Sequence, residues 1–302
     1  MNEFTKKILK LKEEKNAVIL AHYYQRPEIQ EIADYVGDSF YLSKIAKECK
    51  ETTVIFCGVR FMAESAKILS PNKTIILPAL DAGCPMADMA EENAVKELKA
   101  KHPKAAVVCY INSSTEVKAL CDVIVTSSNA EKIISNIPNE EILFLPDKNL
   151  GEYLSEKFTD KKFILWPGFC ITHRKVNKTL LEDFKKTLPE AKILSHPECE
   201  KEIRDLSDFI GSTGEIISYA KNDPCESFII VTEQGVFHKL QKDNPNKKFY
   251  SPGATMTCMN MKKTTLEDVY ESLQSSKNEI YLDEEIRLKA LASLEAMHKL
   301  AR

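Results

Sequence analysis

Twelve short apolar runs, each bounded by polar or small residues, punctuate this chain, and they fall into three sets of four. The first set is AVILAH, DYVGDS, TTVIFCG and KTIILPA; the second is AAVVCY, DVIVTSSNA, EILFLPD and KFILWPG; the third is AKILSH, DFIGSTGE, SFIIVTEQG and KKFYSPG. Runs this short and rich in β-branched and aromatic residues read as buried strands. Between them lie polar stretches with apolar residues at helical spacing, such as SFYLSKIAKECK and LLEDFKKTLPEA. Regular alternation of strand and helix predicts an α/β fold of short parallel sheets with helices on both faces.

Each set closes on a cysteine. Cys84, Cys170 and Cys258 lie 86 and 88 residues apart, and the segments Ala17 to Cys84, Ala105 to Cys170 and Ala191 to Cys258 align almost without gaps. A period of that length exceeds the roughly 20 to 50 residues of a solenoid repeat and matches a small domain instead. The expectation is three pseudo-threefold-related three-layer αβα domains, residues 1–84, 85–172 and 173–264, around a central site. In open parallel sheets ligands gather at the carboxyl ends of the strands, and each domain delivers its cysteine there. The tail, residues 265–302, has no cysteine partner and is expected to pack back on the first domain. At its boundary with the third domain, Thr264 or Thr265 caps a helix, Thr264 standing in capping-box spacing to Glu267. NEIYL then reads as a strand and LDEEIRLKALASLEAMHKL as an amphipathic helix.

Composition narrows the function. The 302 residues are 43% hydrophobic and carry a formal charge of −3, with Lys and Arg spread along the chain. A nucleic-acid binder would cluster its basic residues on one face. The amino-terminal MNEFTKKILKLKEEK is charged and amphipathic, unlike a signal peptide, and no apolar run approaches the roughly 18 residues that span a bilayer. A cytosolic enzyme with no membrane or nucleic-acid partner is expected. Reducing surroundings make disulfides among the nine cysteines unexpected. No Cys-x-x-Cys occurs, against a zinc ribbon or a thioredoxin-like site. Cys57, Cys109 and Cys121 sit beside apolar runs and read as core, Cys49 and Cys225 have no assigned role, and Cys199 falls outside the repeat.

The polar residues that end the strands carry the chemistry. First runs end in His22, Tyr110 and His196; second runs end near Ser39, Ser127 and Thr213. Small hydroxyl residues and free N–H groups at helix starts bind carboxylate or phosphate, although Ser and Thr there also serve as simple caps. Three converging thiolates suit an iron–sulfur cluster with one open iron. Zinc is the alternative, with His173 of Cys170-Ile-Thr-His173 as fourth ligand. Candidates for acid–base work are His22, Tyr24, Tyr110, His196 and Glu198. Gly211 and Gly214 do not complete a dinucleotide-binding pattern, and no phosphate-binding loop of the G-x-x-x-x-G-K-[ST] type exists.

From about Ala21 to Met261 the chain shows, in order, AHYYQ, GDS, FCGVRFMAES, CPMADM, YINSS, TSSNA, PDKNLGEY, GFCITH, HPEC, GSTGE, TEQG and CMNMKK. In this series it resembles the quinolinate synthase A family, the iron–sulfur enzymes of NAD (pyridine nucleotide) biosynthesis. The resemblance implies that Cys84, Cys170 and Cys258 ligate a 4Fe-4S cluster with one open iron. It implies condensation of iminoaspartate with dihydroxyacetone phosphate to quinolinate, with loss of phosphate and two waters, and a functional link to the enzyme that supplies iminoaspartate. Carried over by position, His22, Ser39, Tyr110, Asn112, Ser127, His196, Glu198 and Thr213 bind substrate, and Tyr24, Glu198 and His196 transfer protons. One departure is that Met-Asn-Met follows Cys258 where longer relatives carry a Cys-x-x-Cys, so no regulatory disulfide is expected there.

Overall fold

A computed structural model describes residues 3–302, so the first two residues of the first expected domain lie outside the described residues. Each set of apolar runs forms one sheet of four parallel strands. The first contains β1 (Ala17–His22), β2 (Tyr35–Gly37), β3 (Thr53–Cys57) and β4 (Thr74–Ile76). The second contains β5 (Ala106–Tyr110), β6 (Val123–Val125), β7 (Glu141–Leu145) and β8 (Lys162–Leu165). The third contains β9 (Lys192–Ser195), β10 (Phe209–Ile210), β11 (Ser227–Val231) and β12 (Lys248–Tyr250). Spatial order repeats threefold as β2-β1-β3-β4, β6-β5-β7-β8 and β10-β9-β11-β12. β1 and β5 are buried along their whole length, as expected where helical crossovers cover both faces of a parallel sheet. The first strand of each sheet lies where the order reverses, the usual place for a ligand crevice.

One device fixes the register in all three sheets. Asp34, Asp122 and Asp208 each stand immediately before the second strand of their sheet. Their carboxylates accept the backbone N–H of Ile19 at 2.8 Å, Val107 at 2.7 Å and Ile193 at 2.8 Å. The return bonds run from the backbone N–H of each aspartate to the carbonyl of the same partner, at 2.9, 3.0 and 2.9 Å. Both backbone groups of the first strand are thus satisfied just before regular pairing begins, as buried backbone requires.

A large apolar core joins the first and second sheets, and the third sheet has two smaller cores of its own on its two faces. Cys57, Cys109, Cys121 and Cys199 are buried. In the tail, the helix Leu266–Ser275 starts one residue later than the Thr264–Glu267 pairing predicts: Thr265 and Asp268 form the capping box. The NEIYL segment is not a strand, since only Glu279 bridges to Ile76. Its last helix, Glu284–Leu300, lies against both the first and the second unit. Arg287 Nη1 donates to the Ile68 carbonyl at 3.1 Å, and Ser293 Oγ to that of Lys118 at 2.9 Å. Among the described residues no helix is long and apolar enough to cross a membrane.

Candidate active site

The carboxyl ends of the three sheets face one cavity of about 80 Å³. His22, Tyr24, Ser39, Cys84, Tyr110, Asn112, Ser127, Cys170, His196, Glu198, Thr213 and Cys258 all line it. The twelve residues singled out from the sequence are therefore brought together, four from each unit.

The cysteines arrive on three like turns. Each precedes a short 3-10 helix: Ala87–Met89 after Cys84, His173–Lys175 after Cys170 and Asn260–Lys262 after Cys258. Burial pushes the Cys84 thiol up to about 12 and raises Cys170 and Cys258 as well. Against burial, the backbone N–H groups of Ala87, His173 and Met261 favour the ionised sulfur. Such turn N–H groups stabilise anions, and a bound metal deprotonates a coordinating thiol outright. Three thiols set this way on three symmetric loops fit a group held by three thiolates. The loop to Cys170 is pressed close to its sheet: a Cβ on Gly168 would lie 2.5 Å from the Pro146 carbonyl oxygen, so only glycine passes there. The side chains of Cys170, His173 and Glu198 also bring potential ligand atoms within 4.8 Å of one another, a grouping that can hold a metal ion.

Glu198 occupies the centre of a hydrogen-bonded chain. Tyr110 OH donates to its Oε1 at 2.5 Å, and His173 Nδ1 lies 2.8 Å from its Oε2. His173 Nε2 is 2.9 Å from Thr232 Oγ1, which is 2.8 Å from Tyr24 OH. Burial pushes Glu198 up, but His173, His196 and the hydrogen bond from Tyr110 outweigh it and hold the carboxyl well below the usual range. Burial and the nearby Glu198 charge raise both Tyr24 and Tyr110 far above an ordinary phenol. The site therefore holds a carboxylate among neutral phenols.

His22 and His196 are equivalent. In each, Nδ1 accepts the backbone N–H two residues on, from Tyr24 at 3.1 Å and from Glu198 at 3.2 Å. That bond places the neutral ring's proton on Nε2. Burial, and for His22 also the Lys262 charge, lowers both to about 3. His196 Nε2 lies 3.2 Å from Ser127 Oγ.

Strand-end hydroxyls are not merely caps. Asp38 caps the helix that begins at Ser39, Ser212 caps the one that begins at Thr213, and Asn129 stands at the cap position after Ser127. Thr213 Oγ1 is thereby free to bond Tyr24 OH at 2.7 Å. Sequence reasoning missed Thr232, Glu233 and Lys262 as parts of the site. For two of them the signal is positional: Thr232 and Glu233 directly follow the third strand of their unit, an apolar run that stops at polar residues as the first and second runs do.

Residues 6–299 match the family model described as quinolinate synthetase A protein. Quinolinate synthase of Clostridium perfringens (strain SM101 / Type A) is 63% identical over 294 residues, covering 97% of this chain and 98% of that protein. The enzyme of the same name from Clostridioides difficile (strain 630) is 58% identical over 299 residues, covering 99% and 98%. That of Caldicellulosiruptor bescii is 53% identical over 290 residues, covering 96% of each. Matched end to end by both comparisons, with its thiols, histidines and glutamate gathered on one cavity, the chain belongs to the quinolinate synthetase A family.

Proposed function

We propose that this enzyme condenses iminoaspartate with dihydroxyacetone phosphate, releasing phosphate and two waters, to form quinolinate for NAD biosynthesis. The observation that carries the reading is the convergence of Cys84, Cys170 and Cys258, one from each unit, on the cavity that also holds Tyr24, His196 and Glu198. The three thiolates would hold a 4Fe-4S cluster, which when bound supplies an open iron that polarises a leaving hydroxyl as a Lewis acid. Residues 1–84, 85–172 and 173–264 act as the three domains, with residues 265–302 as an added tail.

The chain's own residues supply the rest. Both reactants are small anions, and Ser39, Ser127 and Thr213, beside helix N-termini, suit their carboxylate and phosphate groups. His22, Asn112, Tyr110 and His196 offer further hydrogen bonds, His22 and His196 as neutral donors through Nε2. Holding both reactants in one orientation lowers the entropic cost of joining them. The Glu198 carboxylate accepts a proton at Oε1 or Oε2, and the neutral Tyr24 hydroxyl donates one. All nine cysteines are free, as a reducing cytoplasm would keep them. Iminoaspartate is an unstable imine, so an enzyme that makes it must work alongside this one.

The test is anaerobic reconstitution followed by assay for quinolinate from dihydroxyacetone phosphate and freshly generated iminoaspartate. Product that depends on the cluster is expected, and Cys84→Ser, Cys170→Ser and Cys258→Ser should each lose cluster and activity together. Full activity in any of the three would remove that cysteine from the ligand set. An intact cluster without quinolinate would overturn the substrate assignment and favour another open-iron hydro-lyase.

A further inference from the structure

Glu233, fully buried, follows β11 by two residues. Its Oε1 accepts the backbone N–H of Cys258 at 3.0 Å, and its Oε2 accepts that of Gly235 at 2.6 Å. Lys262 Nζ lies 3.1 Å from one carboxylate oxygen and 3.2 Å from the other. The same ammonium donates to the backbone carbonyl of Tyr24, 238 residues distant in sequence. One end of this ion pair thus grips the Cys258 loop, and the other grips the first unit at Tyr24. Contact there is tight: a Cβ on Gly235 would come within 2.7 Å of the Tyr24 backbone and of Lys262 Nζ.

The other two units show that this arrangement is not imposed by the fold. Two residues past the third strand the units carry Val59, Asp147 and Glu233. Val59 has no charge to offer. Asp147 caps the next helix through Leu150 N–H at 2.7 Å and also faces the backbone N–H of Cys170, as Glu233 does that of Cys258, but it is joined to no Lys or Arg among the described residues. Four residues past the cysteines stand Asp88, Arg174 and Lys262. Arg174 turns away to Glu200 at 3.0 Å. At these two equivalent positions it is the third unit that joins a carboxylate to an ammonium, and the pair there reaches Tyr24. A buried ion pair is weak support for stability by itself and is best explained by the geometry it specifies.

We infer that Glu233 and Lys262 are positioning residues: their ion pair is a brace that holds Cys258 and Tyr24 in one fixed relation. The inference rests on the reading of Cys258 as a cluster ligand and Tyr24 as a proton donor.

The test uses the anaerobically reconstituted full chain as wild type, Lys262→Met, Lys262→Arg, Glu233→Gln and the double variant Glu233→Gln/Lys262→Met. Iron release to a chelator is followed by the loss of visible absorbance, and kcat and KM are measured separately. Lys262→Met and Glu233→Gln should each release iron roughly 10 to 100-fold faster, as loss of outer partners does at metal sites. Their kcat should fall roughly 100-fold with KM changed less than about threefold, the mark of misplacement rather than lost binding. Lys262→Arg should recover most of both effects. The double variant should be no worse than either single one, because the two residues act as a unit. It leaves no unpaired buried charge, so it carries the test if the single variants melt too early to load. Wild-type iron release and kcat in folded variants, or additive effects in the double, would overturn the brace. A wild type that binds no cluster or makes no quinolinate would instead overturn the functional reading on which the brace rests.

Discussion

The two ends of the three sheets obey different rules. At the starts of the second strands, Asp34, Asp122 and Asp208 repeat one hydrogen-bonding device with distances that agree within 0.1 Å of 2.7 to 2.8 Å. At the carboxyl ends, facing the cavity, the symmetry survives in position and is broken in chemistry. His22, Tyr110 and His196 are equivalent, as are Tyr24, Asn112 and Glu198, and as are Val59, Asp147 and Glu233. Threefold identity suffices where a residue only has to hold a strand. It cannot place a phenol, a carboxamide and a carboxylate at one repeated position, as Tyr24, Asn112 and Glu198 do, because three identical side chains around an axis offer one chemistry three times. The pair Tyr24 and Glu198 shows this directly. Both stand two residues past a histidine that ends or follows a first strand, yet Tyr24 is a phenol pushed far above its ordinary value and Glu198 is a carboxylate held below its own.

The sharpest way to break that contrast is at Glu198. Glu198→Gln keeps the size and can still accept from Tyr110, but it removes the charge. We expect kcat to fall roughly 1,000-fold with iron and sulfide content unchanged, within the range for a lost acid–base group; near-normal turnover would show that the carboxylate takes no proton. Tyr24→Phe comes next. It should cost roughly 100-fold in kcat, again with the cluster retained, because Thr213 and Thr232 lose only a hydroxyl partner. Normal turnover in that variant would leave Tyr24 as a structural link between units.

Much of this contrast was legible in the chain. The strand order could be read because each unit writes it in the same four apolar runs, and the cysteine spacing followed from the same repeat. The polar ends of first and second strands were visible because an apolar run stops at them. What stayed hidden lacked a periodic signal. Thr264 and Thr265 both precede an acidic residue at capping distance, so spacing does not choose between them, and the helix takes Thr265 with Asp268. NEIYL has strand-like composition, but its pairing with the β4 edge amounts to a single isolated bridge at Glu279, flanked by the bonds Ile280 N–H to the Ile75 carbonyl and Leu77 N–H to the Asn278 carbonyl. Glu233 and Lys262 could not be paired from sequence, since they lie 29 residues apart and the Tyr24 carbonyl that Lys262 also meets belongs to another unit.

The neutral histidines give a smaller effect that both strand ends share. His22 and His196 titrate near 3 in the folded chain, against about 6.5 when unfolded. Below 6.5 the unfolded state binds protons that the folded state refuses, so stability is full above that pH and falls as pH drops toward 3. Between pH 7 and pH 5 each histidine should cost about 2 kcal/mol, measured by urea unfolding of the cluster-free protein. Depressed carboxylates such as Glu198 act only at lower pH, whereas His298, also lowered by burial, adds to the loss and the raised Asp147 carboxyl opposes it. His22→Gln should remove its own share of the loss, about 2 kcal/mol; an unchanged pH slope would mean that His22 is protonated in the fold.

The smallest effect tests the symmetric end. Asp34→Ala, Asp122→Ala and Asp208→Ala each leave one strand N–H without its carboxylate. The aspartates keep an exposed outer side, so water can partly replace them, and the loss should be about 1 kcal/mol, or roughly 2 °C in the melting midpoint of the cluster-free protein. Because the three sites share geometry, the three losses should agree within about 0.5 kcal/mol and add in the triple variant, the usual behaviour of distant sites. Turnover of the folded variants should stay within about twofold of wild type, since none of the three lines the cavity. A single aspartate whose removal lowered kcat sharply without lowering stability would show that the start of that sheet also serves the site. The division between a symmetric frame and an asymmetric centre would then have to be drawn inside that sheet, between its register lock and the strand end it carries.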